Sequence, residues 1–218
     1  MDGKRRIRLA AFDMDGVLTT VQSSWKYVHD RFGVDNSRNL SRYLRGEINY
    51  EQFMISDVDL WLEKMGKVHS DSVKNILGEI PIRSNLAHAV RAMKENGIIV
   101  AIVSGGISWL SDKIDSIAGF DAVYSNELLT DTNGYLTRKC VPRVAPEKKG
   151  LILKEIMGKL GLEKEECVAI GDSVMDRSMF EVCGTSIAFN PENSEVSKYT
   201  TGTLVSDNLD DLLPYIVV

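Results

Sequence analysis

The chain has 218 residues, of which 44% are hydrophobic and 26% are charged, and its formal net charge at pH 7 is −5. This composition is typical of a globular protein, excludes a largely disordered chain and disfavours a non-specific nucleic-acid binder. The length allows one large domain, or a core domain with a small insertion.

Three features of the sequence bear on cellular location. Residues 1–6 are basic, but the apolar stretch that follows is short and is interrupted by Asp13 and Asp15, which is a poor signal peptide. No apolar run approaches the roughly 20 residues that a membrane span needs. Cysteines are few, far apart and without a CxxC pair, which indicates reduced thiols: Cys140, Cys167 and Cys183. We therefore expect a cytoplasmic protein with no membrane partner.

Short apolar runs without alternation predict strands that are buried on both faces, as in a parallel sheet. Such runs cover residues 7–12, 98–103 and 166–170. Two shorter extended stretches, near residues 122–124 and 185–188, add two predicted strands.

Helical patterns separate these runs. The apolar positions of residues 86–93 have the spacing of one helix face, and Gly97 follows as a stop signal. Residues 152–160 repeat the pattern before Gly161, and residues 131–135 carry an Asn-Gly turn that predicts a small hairpin. Strands that alternate with helices predict an α/β fold with a doubly wound, Rossmann-like parallel sheet.

The segment 21–82 differs from the rest of the chain. It is rich in aromatic residues, and its predicted helices follow no strand. We interpret it as a small helical cap inserted after the first strand. The α/β core domain then comprises residues 1–20 and 83–218.

The predicted strands end in polar residues. Asp13 and Asp15 follow the first run, Ser104 follows the run that ends at residue 103, and Asp172 follows the run that ends at residue 170. Lys149 begins the helix that leads into this last strand. Because the carboxyl ends of parallel strands meet at one edge of the sheet, we expect these side chains to converge there.

The chemistry of this set indicates phosphoryl transfer. Crowded aspartates would repel one another, and a hard divalent cation such as Mg²⁺ relieves that repulsion. Lys149, the Ser104 hydroxyl and the backbone of the glycines after it, at a helix N-terminus, would bind an anionic group. In the D-x-D segment, one carboxylate can attack phosphorus while the other protonates the leaving alcohol and later activates water.

Four motifs of this sequence resemble those of the haloacid dehalogenase superfamily, in the same order and at the same strand or helix ends. They begin at Asp13 (Asp-Met-Asp-Gly-Val-Leu-Thr), Val103 (Val-Ser-Gly-Gly), Lys149 (Lys-Gly) and Gly171 (Gly-Asp-Ser-Val-Met-Asp). The second motif, the Asn-Gly hairpin and the cap are similar to the phosphoserine phosphatase branch of that superfamily.

This resemblance implies a role for each matching residue. Asp13 would be the nucleophile and Asp15 the general acid and base. Asp13, the backbone carbonyl of Asp15 and Asp172 would hold Mg²⁺, and Asp176 would orient Lys149 or a metal-bound water. The resemblance also implies a set of phosphate-binding residues: Ser104, Gly105 and Lys149.

The sequence departs from the phosphoserine phosphatase pattern in three places. Asp57 stands where the branch has an arginine for the substrate carboxylate, and Gln22 stands where it has a glutamate for the substrate amine. Met175 replaces an asparagine in the fourth motif, a change expected to touch only the outer shell of the metal. Together with Tyr50 near the cap entrance, Gln22 and Asp57 are the candidates for specificity, and they leave open whether phosphoserine is accepted.

The leading interpretation is a Mg²⁺-dependent phosphatase of a small phosphorylated metabolite, with no nucleic-acid partner, acting as a monomer or homodimer. A phosphotransferase stays open, because an aspartyl-phosphate can be passed to an alcohol instead of water. A receiver-like signalling protein is a third interpretation, opposed by the chain length, the cap and the early position of Asp13. A binding protein without activity is a fourth, opposed by the presence of Asp13 and Lys149.

Overall fold

The computed structural model describes residues 6–217, so the predictions for residues 1–5 and for residue 218 lie outside the described residues. Within this range the chain forms a seven-stranded sheet. Its strands are Leu9–Phe12 (β1), Ile99–Ile107 (β2), Ala122–Thr130 (β3), Leu136–Val141 (β4), Cys167–Gly171 (β5), Thr185–Phe189 (β6) and Gly202–Leu204 (β7).

The strand order is β4-β3-β2-β1-β5-β6-β7, and β1 lies in the centre of the sheet. All neighbouring strands pair in parallel except β3 and β4, which form the predicted hairpin. Alternate residues of the central strand serve two different hydrophobic cores, since Ala10 and Phe12 face one and Leu9 and Ala11 face the other. This burial on both faces explains why the strands read as continuous apolar runs.

Four helices lie between β1 and the next core helix in the described chain. They are Ser24–Phe32 (α1), Ser37–Leu44 (α2), Tyr50–Met65 (α3) and Ser70–Gly78 (α4). Asn49 caps α3 in a reciprocal arrangement with Gln52, the capping box that fixes a helix start. These helices confirm a cap inserted after the first strand, whereas the domain boundaries at residues 20/21 and 82/83 stay a prediction.

The helices of the core cover both faces of the sheet, as a doubly wound fold requires. Leu86–Glu95 (α5), Ser108–Ala118 (α6) and Leu213–Ile216 (α9) contribute to the core shared with the cap, while Lys149–Leu160 (α7) and Arg177–Phe180 (α8) pack in the other. None of the helices within residues 6–217 is both long enough and apolar enough to cross a membrane.

The hairpin β3–β4 joins the cap to the core. The backbone N–H of Leu136 donates to the carbonyl of Val68, and the N–H of Ser70 donates to the carbonyl of Gly134. Nearby, Arg138 of β4 forms an ion pair with Asp59 of α3, 2.5 Å between Nε and Oδ1. The cap is therefore attached to the core at the hairpin as well as at its two chain connections.

The second strand is longer than its apolar run predicts. It continues through Ser104 and the two glycines to Ile107, where it pairs with Asn126 of β3 after a register irregularity. Helix α6 begins only at Ser108. The expectation that these glycines lie at a helix N-terminus is therefore wrong, because they belong to the extended strand β2. The short strand β7 was not predicted.

Candidate active site

The loop after β1 carries the first two predicted site residues and depends on one glycine. Gly16 has a φ of +74°, and a Cβ at this position would lie 1.9 Å from Oδ2 of Asp172. No other residue fits between the two segments, which explains the glycine after the D-x-D pair. Arg83 holds the same loop by donating to the carbonyls of Gly16 and Val17, each at 3.0 Å. The sequence analysis did not single out Arg83.

Lys149 lies at the centre of the site. Its Nζ is 3.0 Å from Oδ2 of Asp13 and 2.6 Å from Oδ1 of Asp176, and all three side chains are buried. Burial by itself lowers the pKa of Lys149, but Asp13 and Asp176 together raise it above its usual value. Lys149 is therefore a fixed positive charge. The adjacent Lys148 forms neither of these contacts.

Asp176 anchors the cluster through both carboxylate oxygens. Its Oδ2 accepts hydrogen bonds from the backbone N–H groups of Asp172 and Ser173, each at 3.1 Å, while Oδ1 contacts Lys149. Gly171 permits this close approach, since a Cβ there would lie 2.5 Å from the Asp176 carboxyl carbon. Asp176 is thus held in place and contacts Lys149, whereas its predicted role in orienting Lys149 or a metal-bound water stays a prediction.

Three carboxylates of the site are close enough to share a cation. Oxygens of Asp13, Asp172 and Asp176 lie within 4.8 Å of one another. Burial raises the pKa of Asp172 to about 9, with further contributions from Asp13 and Asp176. Burial also raises the pKa of Asp13 to about 7, against the opposing effect of Lys149. A bound divalent cation would favour the ionised carboxylates and so lower these pKa values. The donor set therefore fits a hard metal ion.

Asp15 is held by the first helix of the cap. Its Oδ2 accepts hydrogen bonds from the backbone N–H of Ser24 at 2.8 Å and from the Ser24 hydroxyl at 2.7 Å. Its Oδ1 is buried and has no hydrogen-bond partner among residues 6–217. Burial raises the pKa of Asp15, and the two bonds from Ser24 oppose that shift. Ser24 was missed by the sequence analysis, although a serine pair at the start of an amphipathic helix was a signal for it.

The segment Ser104–Gly105 is oriented by residues from the cap and from β3. Ser104 is buried, and its hydroxyl oxygen accepts a hydrogen bond from the backbone N–H of Gly106 at 3.1 Å. The carbonyl oxygen of Gly105 accepts three hydrogen bonds, from the following donors: Trp25 Nε1 at 3.0 Å, Tyr50 Oη at 3.2 Å and Asn126 Nδ2 at 2.8 Å. This network fixes the plane of the peptide that joins Gly105 to Gly106. Asn126, which also binds the backbone of Val144, was not predicted.

A cavity lies between the cap and these strand ends. Its volume is about 190 Å³, and its walls bring together residues of both parts: Asp13, Asp15, Gln22, Tyr50, Ser104, Gly105, Lys149, Asp172 and Met175. Six of the residues predicted for catalysis, metal or phosphate binding therefore meet around one space. The exception is Asp176, which lies behind Lys149.

A second cavity of about 400 Å³ shares walls with the first and extends into the cap. Gln22 and Tyr50 line both cavities, whereas Asp57 lines only the second. Met175 lines both and its side chain is partly exposed. Its replacement of an asparagine therefore alters the wall of the cavities, in addition to any effect on the surroundings of a metal.

This chain is similar to known proteins over the segment that contains the predicted site residues. A family model described as haloacid dehalogenase-like hydrolase matches residues 7–184. Phosphoserine phosphatase from Archaeoglobus fulgidus is 33% identical over 94% of this chain, which spans only 58% of that relative's length. Phosphoserine phosphatase from Methanocaldococcus jannaschii is 27% identical over 85% of this chain and 87% of its own.

The fold has a counterpart among solved structures. One described as a phospho-aspartyl intermediate analogue of phosphoserine phosphatase superposes with a TM-score of 0.79 at 24% identity. The superposition covers 97% of this chain and 100% of the other. This likeness confirms the predicted architecture, a Rossmann-like sheet with a helical cap.

Proposed function

The chain belongs to the haloacid dehalogenase-like hydrolases and is a phosphoric monoester hydrolase, and from this premise we propose that it is a Mg²⁺-dependent phosphatase of small phosphorylated metabolites. The observation that carries the proposal is the buried contact of Lys149 with Asp13, beside an Asp15 that keeps one oxygen free. A nucleophile, a fixed cation and a positioned acid around one cavity are the parts that phosphoryl transfer needs.

Asp13 and Asp15 divide the chemistry between them. The carboxylate of Asp13 attacks phosphorus, the bond to the leaving oxygen breaks, and Asp15 donates its proton to that oxygen. Asp15 then accepts a proton from water, whose oxygen attacks the phosphoryl group on Asp13 and releases phosphate and the free carboxylate. The raised pKa of buried Asp15 supports its first role as an acid, and its free Oδ1 supports proton exchange with the ligand.

Lys149, Ser104 and Gly105 bind the phosphoryl group in this proposal. The ammonium group neutralises charge on the phosphoryl oxygens, and the Ser104 hydroxyl and the Gly105 backbone N–H donate hydrogen bonds to them. Asp176 keeps Lys149 in position through the 2.6 Å contact. The three hydrogen bonds to the Gly105 carbonyl restrain the backbone that follows this N–H, which supports the role of this segment because restrained donors need little reorganisation during the reaction.

A metal completes the proposed site. Asp13, Asp172 and the backbone carbonyl of Asp15 would hold Mg²⁺, whose charge would stabilise the negative oxygens of the transferring group. The closeness of the Asp13 and Asp172 oxygens and the raised pKa of Asp172 support these two ligands, whereas the Asp15 carbonyl is assigned from the resemblance alone.

The test is phosphate release from a panel of small phosphomonoesters, with and without EDTA, followed by readdition of Mg²⁺. We expect turnover that EDTA abolishes and Mg²⁺ restores. Asp13→Asn should abolish turnover while leaving the circular dichroism spectrum and melting temperature close to those of the wild type. Lys148→Ala, beside the catalytic lysine but outside the cluster, is the matched control and should retain activity. Full activity of Asp13→Asn would refute the nucleophile assignment.

The remaining predictions extend the same proposal. Hydrolysis, as opposed to transfer to an alcohol, is tested by adding glycerol to the assay and measuring whether free phosphate falls while glycerol phosphate forms.

The three cysteines are buried and free, which supports the proposed cytoplasmic location. The monomer or homodimer stays a prediction, which size-exclusion chromatography with light scattering tests.

A further inference from the structure

The wall of the second cavity includes a carboxylate that lacks a complete set of partners among residues 6–217. Asp57 of α3 is 1% exposed and lines this cavity. Its Oδ2 accepts a hydrogen bond from Nδ2 of Asn36 at 3.2 Å, but its Oδ1 has no hydrogen-bond partner among residues 6–217. Because a buried carboxylate oxygen without a donor is costly, this atom is a site for a donor that arrives from the cavity.

The histidine beside Asp57 does not supply the missing positive charge. Trp61 donates its indole N–H to Nδ1 of His29 at 2.7 Å. An indole nitrogen is only a donor, so Nδ1 must be the unprotonated nitrogen and His29 is the neutral tautomer with its proton on Nε2. That Nε2 lies 3.3 Å from Oδ2 of Asp57 without hydrogen-bond alignment. Asp57 therefore has a polar neighbour there and no cation.

The other charged residues around the cavity do not neutralise Asp57 either. Lys26 lines the cavity, but its Nζ forms an ion pair with Asp30 at 2.8 Å and the side chain is 69% exposed. Glu192 adds negative charge to the same walls. The end of the cavity at Asp57 therefore has no cation to offer within the described chain, and a carboxylate brought there by a ligand would meet repulsion.

The walls between the two ends are mostly apolar and aromatic, with Trp25, Tyr50, Phe53 and Met54 among them. A short aliphatic chain suits such walls, and the volume of about 400 Å³ suits a small metabolite. A ligand with its phosphate at Lys149 and its alkyl chain along these residues would bring its far end toward Asp57.

We propose that Asp57 binds the ammonium group of the substrate, and that the substrate is a phosphomonoester of a small amino alcohol without a carboxylate. This inference rests on the proposed phosphatase function. An ammonium group supplies both the missing hydrogen-bond donor for Oδ1 and the missing positive charge. A hydroxyl group supplies only the donor, and a carboxylate supplies neither.

The experiment compares three matched series of alkyl phosphates that differ only in the terminal group: amino, hydroxy or carboxy. Each series contains ethyl, propyl and butyl chains, and p-nitrophenyl phosphate reports the activity of the site without a terminal group. With the wild-type enzyme and Mg²⁺, we expect kcat/KM for the best aminoalkyl phosphate to exceed that of the matched carboxyalkyl phosphate by at least about tenfold, since charge-assisted contacts are worth that much.

Asp57→Asn should lower kcat/KM for the aminoalkyl phosphates by about tenfold and narrow their advantage over the carboxyalkyl series. Glu63→Gln is the matched control, because Glu63 is an exposed carboxylate on the same helix and lies outside both cavities. It should leave the order of the three series unchanged.

The outcomes separate the two proposals. No metal-dependent turnover of any ester, p-nitrophenyl phosphate included, would refute the phosphatase function itself. Turnover of p-nitrophenyl phosphate with hydroxyalkyl or carboxyalkyl phosphates equal to or better than aminoalkyl phosphates would overturn only the ammonium subsite. The comparison within the wild-type enzyme decides this even if Asp57→Asn fails to fold.

Discussion

Buried charged groups have many partners at one end of the two adjoining cavities and few at the other. At the strand edge, Lys149 lies between Asp13 and Asp176, and Asp176 receives two further backbone donors. In the cap, Asp57 has one donor on one oxygen and none on the other within the described residues. The strand edge holds its charges in place before any ligand binds, whereas the cap end is completed by the ligand. Removal of a charged group should therefore lower the free energy of unfolding at the strand edge and raise it in the cap.

The largest effect is expected at Lys149. Lys149→Met removes the only cation that contacts Asp13 and Asp176 in the described chain and leaves two buried carboxylates without it. We expect loss of activity and a fall of about 3–5 kcal/mol in the free energy of unfolding, measured by urea denaturation without metal. Lys148→Met, the adjacent control, should change that free energy by less than about 0.5 kcal/mol. Equal effects at both positions would show that the charge cluster does not stabilise the fold.

The next largest effect on activity is expected at Asp15 and at Ser24, which donates hydrogen bonds to it. Asp15→Asn keeps the shape of the side chain but cannot donate a proton to the leaving oxygen, so turnover of alkyl phosphates should fall about 10²–10⁴-fold. In the first step, formation of the phospho-enzyme, the loss should be much smaller with p-nitrophenyl phosphate, whose leaving group needs no proton; the initial burst of p-nitrophenolate measures this step separately from the water attack that Asp15 also assists. Ser24→Ala removes one of the two donors that hold Asp15 and should lower kcat about tenfold. A uniform loss for both leaving groups would contradict the acid role.

The carboxylates of the strand edge predict a pH-dependent response to Mg²⁺. The pKa values of Asp13 and Asp172 in the folded, metal-free protein are raised to about 7 and about 9. For carboxyls raised above their unfolded values, the stabilising contribution is present at low pH and is lost as pH rises through these values. Mg²⁺ binds the ionised form, so its effect on the melting temperature should be larger above pH 9 than below pH 7. A pH-independent shift would contradict this linkage.

The smallest effect, and one of opposite sign, is expected in the cap. Asp57→Asn removes a buried charge that lacks a cationic partner, so the free energy of unfolding should rise by about 1 kcal/mol. The same urea denaturation measures it. A loss comparable to that of Lys149→Met would mean that the charge of Asp57 is already compensated within the cap. Together with Lys149→Met, this variant tests the contrast between the two ends directly.

Much of the fold follows from local patterns in the sequence. The apolar runs locate β1, β2 and β5 because these strands are buried on both faces, and the polar residues at their ends locate the catalytic edge. The helical cap is visible as an aromatic segment without strands. These features are local, so one sequence suffices to predict them.

The missed residues act across long distances in the chain. Asn126 orients the Gly105 peptide from the next strand, and Arg83 binds the loop after β1 from beyond the cap. The extension of β2 to Ile107 depends on pairing with β3. Each of these contacts exists only once the tertiary fold has brought distant segments together, and no periodicity or short motif records it.

The attachment of the cap to the β3–β4 hairpin limits how the site can open. A cap held only at its two chain connections can rotate about the line that joins them. The hydrogen bonds that Val68 and Ser70 form with the hairpin, together with the Asp59–Arg138 ion pair, are a third attachment that opposes this rotation. Across the entrance, Tyr43 of α2 donates a hydrogen bond to Glu147, 2.9 Å between oxygens. These contacts tie the cap to the core at the hairpin and at Glu147, so a rotation of the cap that widened the space above Asp13 would have to break them.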